Sequence, residues 1–291
     1  MVFGKNKLNL AFFVPMLFVF LWSTGFIAAK YTIQYSPPFT LLFLRGLLSC
    51  IVFLAIVLVS KVQFPSLNGM IAQLKVGFFM HVVFLGGCFF AIHKGMPSSL
   101  VALITGLQPI LTAVILATVH KQSMRLMKWL GIVIGFIGVF LVLSPGKHSF
   151  HLALIPLLSS IIALIGVTIG SLYQKKIKPD GHILASTFFQ YVSLTVIMGA
   201  ISYFTEPGSV SWSFSFVAGL LWLVVGVSVA AILLLVYMIQ VGESTKVATY
   251  FYLVPVVTAI EAWILFGETI TLQTVLGMVV TILGMVFVML G

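Results

Sequence analysis

STKVATYFYLVPVVTAIEAWILFGE, residues 244–268, is the stretch that decides how this chain is read. It is apolar and long enough to span a bilayer, because about 20 residues rising roughly 1.5 Å each cover a hydrocarbon core of about 30 Å. Pro255 lies near its centre, with Glu261 further along. A proline there cannot donate to the carbonyl of Phe251, so one backbone acceptor is freed inside the membrane. A charged group at such depth costs roughly 2.5–3.5 kcal/mol on insertion scales. A helix with no task beyond spanning needs neither feature. Both point to a helix that faces a cavity.

The same pattern occurs earlier in the chain. Ser98–Gly138 aligns with Ser244–Gly284 without a gap, pairing Pro109 with Pro255, Thr112 with Thr258, Gly131 with Gly277 and Gly138 with Gly284. Corresponding helix breaks in two halves are the sequence pointer to a binding site at a repeat interface. Pro109 and Pro255 are therefore the expected breaks.

Composition sets the solvent. The chain has 291 residues, 61% hydrophobic and 7% charged, with mean hydropathy +1.24. So few charges cannot cover a soluble domain of this size, and the bilayer must be its solvent. The net charge of +10 is spread singly between apolar spans, which reads as topology signal and not as a nucleic-acid surface. Cys50 and Cys88 fall within spans as small apolar residues, and no metal-ligand or cofactor motif is present.

Ten apolar spans can be counted, and the expected fold is an all-α integral membrane protein. Short connections such as Ser36-Pro37-Pro38, Ser144-Pro145-Gly146 and Glu206-Pro207-Gly208 separate them. With the amino terminus inside, Lys5, Lys7, Lys61, Lys75, Lys121, Arg125, Lys128, Lys175, Lys176 and Lys178 fall on the inner side. Lys30, Lys94 and Lys147 fall outside. This positive-inside bias puts both termini in the cytoplasm. Five spans per half is an odd number, so residues 147–291 must enter the membrane upside down relative to residues 1–146. The result is two inverted five-helix repeats.

Trp22-Ser23-Thr24-Gly25-Phe26, Ser36-Pro37-Pro38-Phe39-Thr40, Arg45, Gly95-Met96-Pro97, Gly106-Leu107-Gln108-Pro109 and Leu253-Val254-Pro255 through Gly267-Glu268 resemble EamA-like members of the drug/metabolite transporter superfamily. The resemblance covers essentially the whole chain. It implies a ten-helix inner-membrane carrier with two inverted halves and a central cavity, moving small metabolites. One departure is His120-Lys121-Gln122, which stands where such chains commonly repeat Gly-Glu.

The polar residues within spans are the site candidates. Arg45 and Glu261 fall at similar depth with opposite charge, roughly 9 Å and 7.5 Å below the outer ends of their spans. They are read as an outer-side ion pair or gate, against the alternatives of static packing and separate snorkelling. Tyr250, Thr258 and Glu261 share one helical stripe. Gln108 sits beside Pro109, and His81 lies in the inner half of the third span, where a neutral bridging histidine competes with a relay. Trp22, Phe26, Trp222 and Tyr237 are read as an aromatic wall, against the alternative that such rings simply face lipid or the interface. Substrate contacts are thus expected from Trp22, Phe26, His81, Gln108, Trp222, Tyr250, Thr258 and Glu261. Gly131, Gly135, Gly138, Gly277 and Gly284 read as close helix packing, either between the halves or between copies in a homodimer.

These residues point to a secondary carrier for an amino acid, an amine or an amphipathic drug-like molecule, with lipid as its surroundings. No Walker-type loop is present, so a proton gradient, a substrate gradient or facilitated diffusion remains as the energy source. An intramembrane enzyme and a non-catalytic pore or assembly subunit are the alternatives. The enzyme lacks a nucleophile-and-base motif, and an inverted repeat with mid-span prolines favours a carrier over a pore.

Overall fold

A computed structural model describes residues 4–119, 121, 125–143, 153–178, 180–240 and 250–290, and no strand occurs among them. The opening of the ninth span at residues 244–249, the His120 and Gln122 positions, Lys147 and the junction expected at 146/147 lie outside the described residues. Among the described residues, seven helices are long and apolar enough to cross a membrane, and three shorter apolar helices occupy Leu126–Val142, Val254–Phe266 and Leu272–Val288.

The first two spans are α1 (Gly4–Thr32) and α2 (Pro38–Val59). Pro37 and Pro38 start α2 because a first-turn proline gives up only an amide that has no helical partner anyway. The third span runs as α3 (Leu67–Gly77), a π-helical segment Phe78–Val83, and α4 (Phe84–His93). The fourth is broken. α5 (Ser98–Gly106) stops, Leu107 forms a turn, and α6 (Gln108–Thr118) restarts with Pro109 in its first turn. Then come α7 (Leu126–Leu143), α8 (Leu154–Lys176) and α9 (Ile183–Thr205). The eighth span repeats the π interruption, as α10 (Phe214–Leu221), Trp222–Ala230 and α11 (Ala231–Gln240). A short 3₁₀ turn, Phe251–Leu253, leads into α12 (Val254–Phe266), with Pro255 in its first turn, and α13 (Leu272–Leu290) closes the described chain.

Both prolines therefore sit where a new helix begins. The π segments carry no such sequence signal, and they fall at corresponding spans of the two halves. Each widens a helix locally at a place where side chains are wanted inside.

The halves are held by small residues. α7 and α13 pack so closely that a Cβ on Gly131 would lie 2.7 Å from the Gly284 carbonyl oxygen, and one on Gly138 would lie 2.7 Å from that of Gly277. In lipid no hydrophobic effect drives helices together, so close backbone approach supplies the contact. The glycine stripes are thus used between the halves. The other contacts are symmetric under exchange of halves: α1 packs on α12 as α8 packs on α5 and α6, while α2 packs on α9.

The connections sort onto two faces. On one, the His182 amide donates to the Gln63 carbonyl and Asp180 meets Ser66. On the other, the Ser211 amide donates to Tyr35, and Glu206 and Glu268 meet Thr40 and Ser98.

Candidate functional site

A cavity of about 460 Å³ lies between the halves. Its mouth is at Ile177, Lys178, Asp180 and Gly181, of which Lys178 and Gly181 are exposed. Its deep end is lined by Trp22, Phe26, Arg45 and Phe89. Trp22 is held by aromatic edges, with the Phe251 ring at 5.1 Å and the Phe18 ring at 5.4 Å. Pocket walls of this kind, mostly apolar with a few convergent polar groups, are where ligands bind.

The polar groups come from five of the spans. Gln190 on α9 donates through Nε2 to Gln73 Oε1 at 2.7 Å and to Gln174 Oε1 at 3.3 Å. His81, on the first π segment, donates from Nε2 to Gln190 Oε1 at 3.3 Å and stacks on Tyr191 at 4.6 Å. It therefore bridges helices and lines the cavity at once. Arg45 is 4% exposed. Its Nε donates to Ser228 Oγ at 3.0 Å, on the second π segment, and its guanidinium lies 5.9 Å from the Phe89 ring.

The expected pairing of Arg45 with Glu261 is corrected. Among the described residues the ion pair is Lys30–Glu268, and Arg45 has no carboxylate within salt-bridge distance. Glu261 Oε1 instead accepts from Ser23 Oγ at 2.9 Å, and Oε2 is buried without a partner among the described residues. Similar depth in two helices fixes height in the membrane but not the direction in which each side chain leaves its helix.

Of the other expected contacts, Trp22, Phe26 and His81 line this cavity, whereas Gln108, Trp222, Tyr250, Thr258 and Glu261 are not in its wall. Gln108 donates to Ser171 Oγ at 2.8 Å, tying α6 to α8. Trp222 is 41% exposed and donates to Thr24 Oγ1 at 2.9 Å. Thr258 is fully buried, and Tyr250 is partly buried against the core. Gln73, Gln174, Tyr191 and Ser228 belong to the wall or its support and escaped sequence reasoning. Gln190 did carry a signal, because it falls opposite Arg45 when the halves are aligned with a shift of one residue.

At the end of the protein away from the mouth, Glu268 ties α12 to α1 and α5. Gly267 adopts the left-handed conformation (φ 65°) that ends α12. The next residue, Glu268, turns onto the start of α5. Its Oε1 accepts from Lys30 Nζ at 2.7 Å, the Ser98 amide at 3.0 Å and Ser98 Oγ at 2.9 Å, and its Oε2 accepts from Ser99 Oγ at 2.7 Å. Burial pushes this carboxyl up, but the hydrogen bonds from Lys30, Ser99 and Ser98 and the lysine charge outweigh it and hold the group below its ordinary value. Glu206 caps α2 in the same way, accepting from the Phe39 amide at 3.1 Å and the Thr40 amide at 2.7 Å. At the mouth, Asp180 accepts from the Ser66 amide at 3.1 Å at the start of α3. Every carboxylate side chain of the chain follows residue 146, and three of them cap helices of the first half. A carboxylate at a helix N-terminus satisfies free amides and meets the positive end of the helix dipole.

The sequence profile of the EamA-like transporter family matches this chain twice, over residues 9–144 and 153–290. An uncharacterized transporter of Bacillus subtilis (strain 168), YvbV, is 26% identical over 96% of this chain and 89% of its own. A probable amino-acid metabolite efflux pump of Salmonella typhimurium is 24% identical, covering 94% and 92%. An uncharacterized inner membrane transporter of Escherichia coli K12, YedA, is 25% identical, covering 93% and 88%. A solved crystal structure of a chain 16% identical superposes with a TM-score of 0.67 over 94% of this chain and 96% of the other, so the fold is shared.

Proposed function

The chain belongs to the EamA-like transporter family, and on that premise we propose that it moves a small organic metabolite across the inner membrane by alternating access of its two halves. The halves are residues 1–146 and 147–291, each with five crossings and the second inverted. Both termini and the cavity mouth face the cytoplasm, in keeping with the lysine and arginine asymmetry. Relatives named as an inner membrane transporter and as an amino-acid metabolite efflux pump support the location and the size of the cargo.

One observation carries this reading. The cavity between the halves reaches one face at Ile177, Lys178, Asp180 and Gly181, while the other face is tied together by Glu268 with Lys30, Ser98 and Ser99. A path tied at one end by a few breakable polar contacts supports the reading of a carrier in its inward-facing state over that of a pore. Turnover then requires the Glu268 contacts to part while the mouth closes near Asp180 and Ser66. Glu261, half-buried with one oxygen free of partners among the described residues, is the candidate for a coupling proton.

The test is counterflow in proteoliposomes. A carrier preloaded with unlabelled cargo accumulates labelled cargo transiently and saturably, and mass spectrometry recovers that cargo unchanged. Linear, non-saturating flux would mean a pore, and a chemically altered product would mean an enzyme.

A further inference from the structure

We propose that the cavity binds an organic monocarboxylate, its carboxylate on the Arg45 guanidinium and its body against Trp22, Phe26 and Phe89; this rests on the carrier reading above. Arg45 is more than nine-tenths buried yet lines the cavity. A guanidinium has five N–H donors and no acceptor. Here Nε is taken by Ser228 Oγ, and the Tyr191 hydroxyl and the His81 ring are the other polar neighbours. None of the three supplies a negative charge. Donors and a full positive charge are left over.

No protein group among the described residues supplies the missing charge. Glu268 holds Lys30, Glu206 caps α2, Asp180 caps α3 at the mouth, and Glu261 is bound to Ser23 outside the cavity wall. A buried cation is expensive unless it is paired. An apolar replacement would avoid that cost, so the charge is explained if a ligand completes it. The planar fork of arginine matches a carboxylate with two parallel hydrogen bonds.

The surroundings narrow the class. A phosphate ester would want a second cation, and the nearest lysine in the wall, Lys178, is at the mouth. An amine would want an acid, and the deep wall has none. What the deep wall does offer is aromatic surface, with the Gln73, Gln174 and Gln190 amides and His81 available for hydrogen bonds elsewhere along the wall. An aromatic or acylated monocarboxylate fits, and a free amine does not.

The experiment uses the full-length protein in detergent or nanodiscs and three probes with the same ring, namely indole-3-acetate, indole-3-acetamide and tryptamine. Binding is read as a rise in Tm and as a change in tryptophan fluorescence polarisation or quenching near Trp22. Indole-3-acetate should stabilise the wild type, while the amide and the amine should bind at least tenfold more weakly. Arg45→Gln should abolish the preference, and its ligand-free Tm should equal or exceed that of the wild type. The proposal is overturned if all three probes bind alike, if none of them binds, if sodium chloride alone reproduces the shift, or if Arg45→Gln binds indole-3-acetate as the wild type does. A lower ligand-free Tm for Arg45→Gln would also overturn it, since Arg45 would then be structural. Carboxylate binding without counterflow would sink the carrier reading and leave this inference standing. Counterflow of non-acidic cargo alone would do the reverse.

Discussion

Lys30 Nζ lies 2.7 Å from Glu268 Oε1, and this pair joins the last turn of α1 to the residue that follows the α12 terminus. Lys30 sits at the negative end of one helix dipole, and Glu268 sits at the positive end of another, that of α5. Each charge is therefore favoured twice. Breaking the pair from the lysine side leaves Glu268 with only serine and backbone donors, so Lys30→Met and Glu268→Gln should each lower Tm. A double-mutant cycle should show the two effects to be coupled, not additive, at about 1–3 kcal/mol for charged hydrogen bonds. Additive losses would mean that the two residues act separately.

The same pair carries a pH signature. The Glu268 carboxyl is held below its ordinary value of 4.5. Its stabilising contribution is accordingly complete above that ordinary value and is lost as pH falls through the lowered native value. Wild-type Tm should exceed that of Glu268→Gln by a constant margin near neutrality, and the margin should shrink at strongly acid pH. A margin that is unchanged by acid would show that the charge contributes nothing.

Topology is tested by labelling. In a background where Cys50 and Cys88 are replaced by alanine, Ser209→Cys and Lys178→Cys place thiols at exposed sites on the two faces. An impermeant maleimide applied to intact cells should reach position 209 and not 178. Labelling in the opposite sense would invert the membrane orientation and turn the cavity mouth outward.

The glycine stripe between α7 and α13 gives a stability prediction. A side chain at Gly131 or Gly284 would meet backbone atoms of the facing helix, which cannot move aside as a flexible side chain would. Gly131→Val and Gly284→Val should each destabilise by about 1–3 kcal/mol, the range for overpacked sites. Gly208→Val, where the nearest neighbour is the Pro37 ring at 3.6 Å, should be nearly silent. Equal tolerance at all three positions would argue against direct contact of α7 with α13.

What the sequence disclosed was whatever leaves a periodic trace. Matched prolines marked the restarts at α6 and α12, and matched glycines marked close helix packing, which the structure places between α7 and α13. Contacts across the repeat left no such trace. Lys30 with Glu268, Thr40 with Glu206 and Ser66 with Asp180 are distant in sequence, and nothing local to Ser98 or Ser66 announces a carboxylate arriving from the other half. The π segments were hidden too, because FFMHVV and WLVVGVSVA read as ordinary apolar helix. Their effect is to rotate the side chains beyond them. Counting turns placed Arg45 and Glu261 at one level, but it could not show that Arg45 reaches Ser228, which lies within the second π segment.

Glu261 offers the last and most discriminating prediction. Ile115 stands at its position in the other half, so the scaffold accepts an apolar residue there and the carboxyl group is peculiar to one repeat. It is bound on one side to Ser23, while Thr258, one turn back on α12, is also buried without a partner among the described residues. A merely structural carboxyl with an unsatisfied oxygen would be better replaced, because its desolvation cost vanishes with the charge. Glu261→Gln should therefore fold at least as well as the wild type, which a Tm measurement checks. In proteoliposomes it should still exchange labelled for unlabelled cargo, since it is not in the cavity wall. Under an imposed pH gradient, however, the wild type should accumulate cargo and Glu261→Gln should not. Ser23→Ala, which removes the hydroxyl but leaves the carboxyl, should keep the response with its pH dependence displaced. Should Glu261→Gln concentrate cargo as well as the wild type does, the coupling proton lies elsewhere and Glu261 is only a packing residue between α1 and α12.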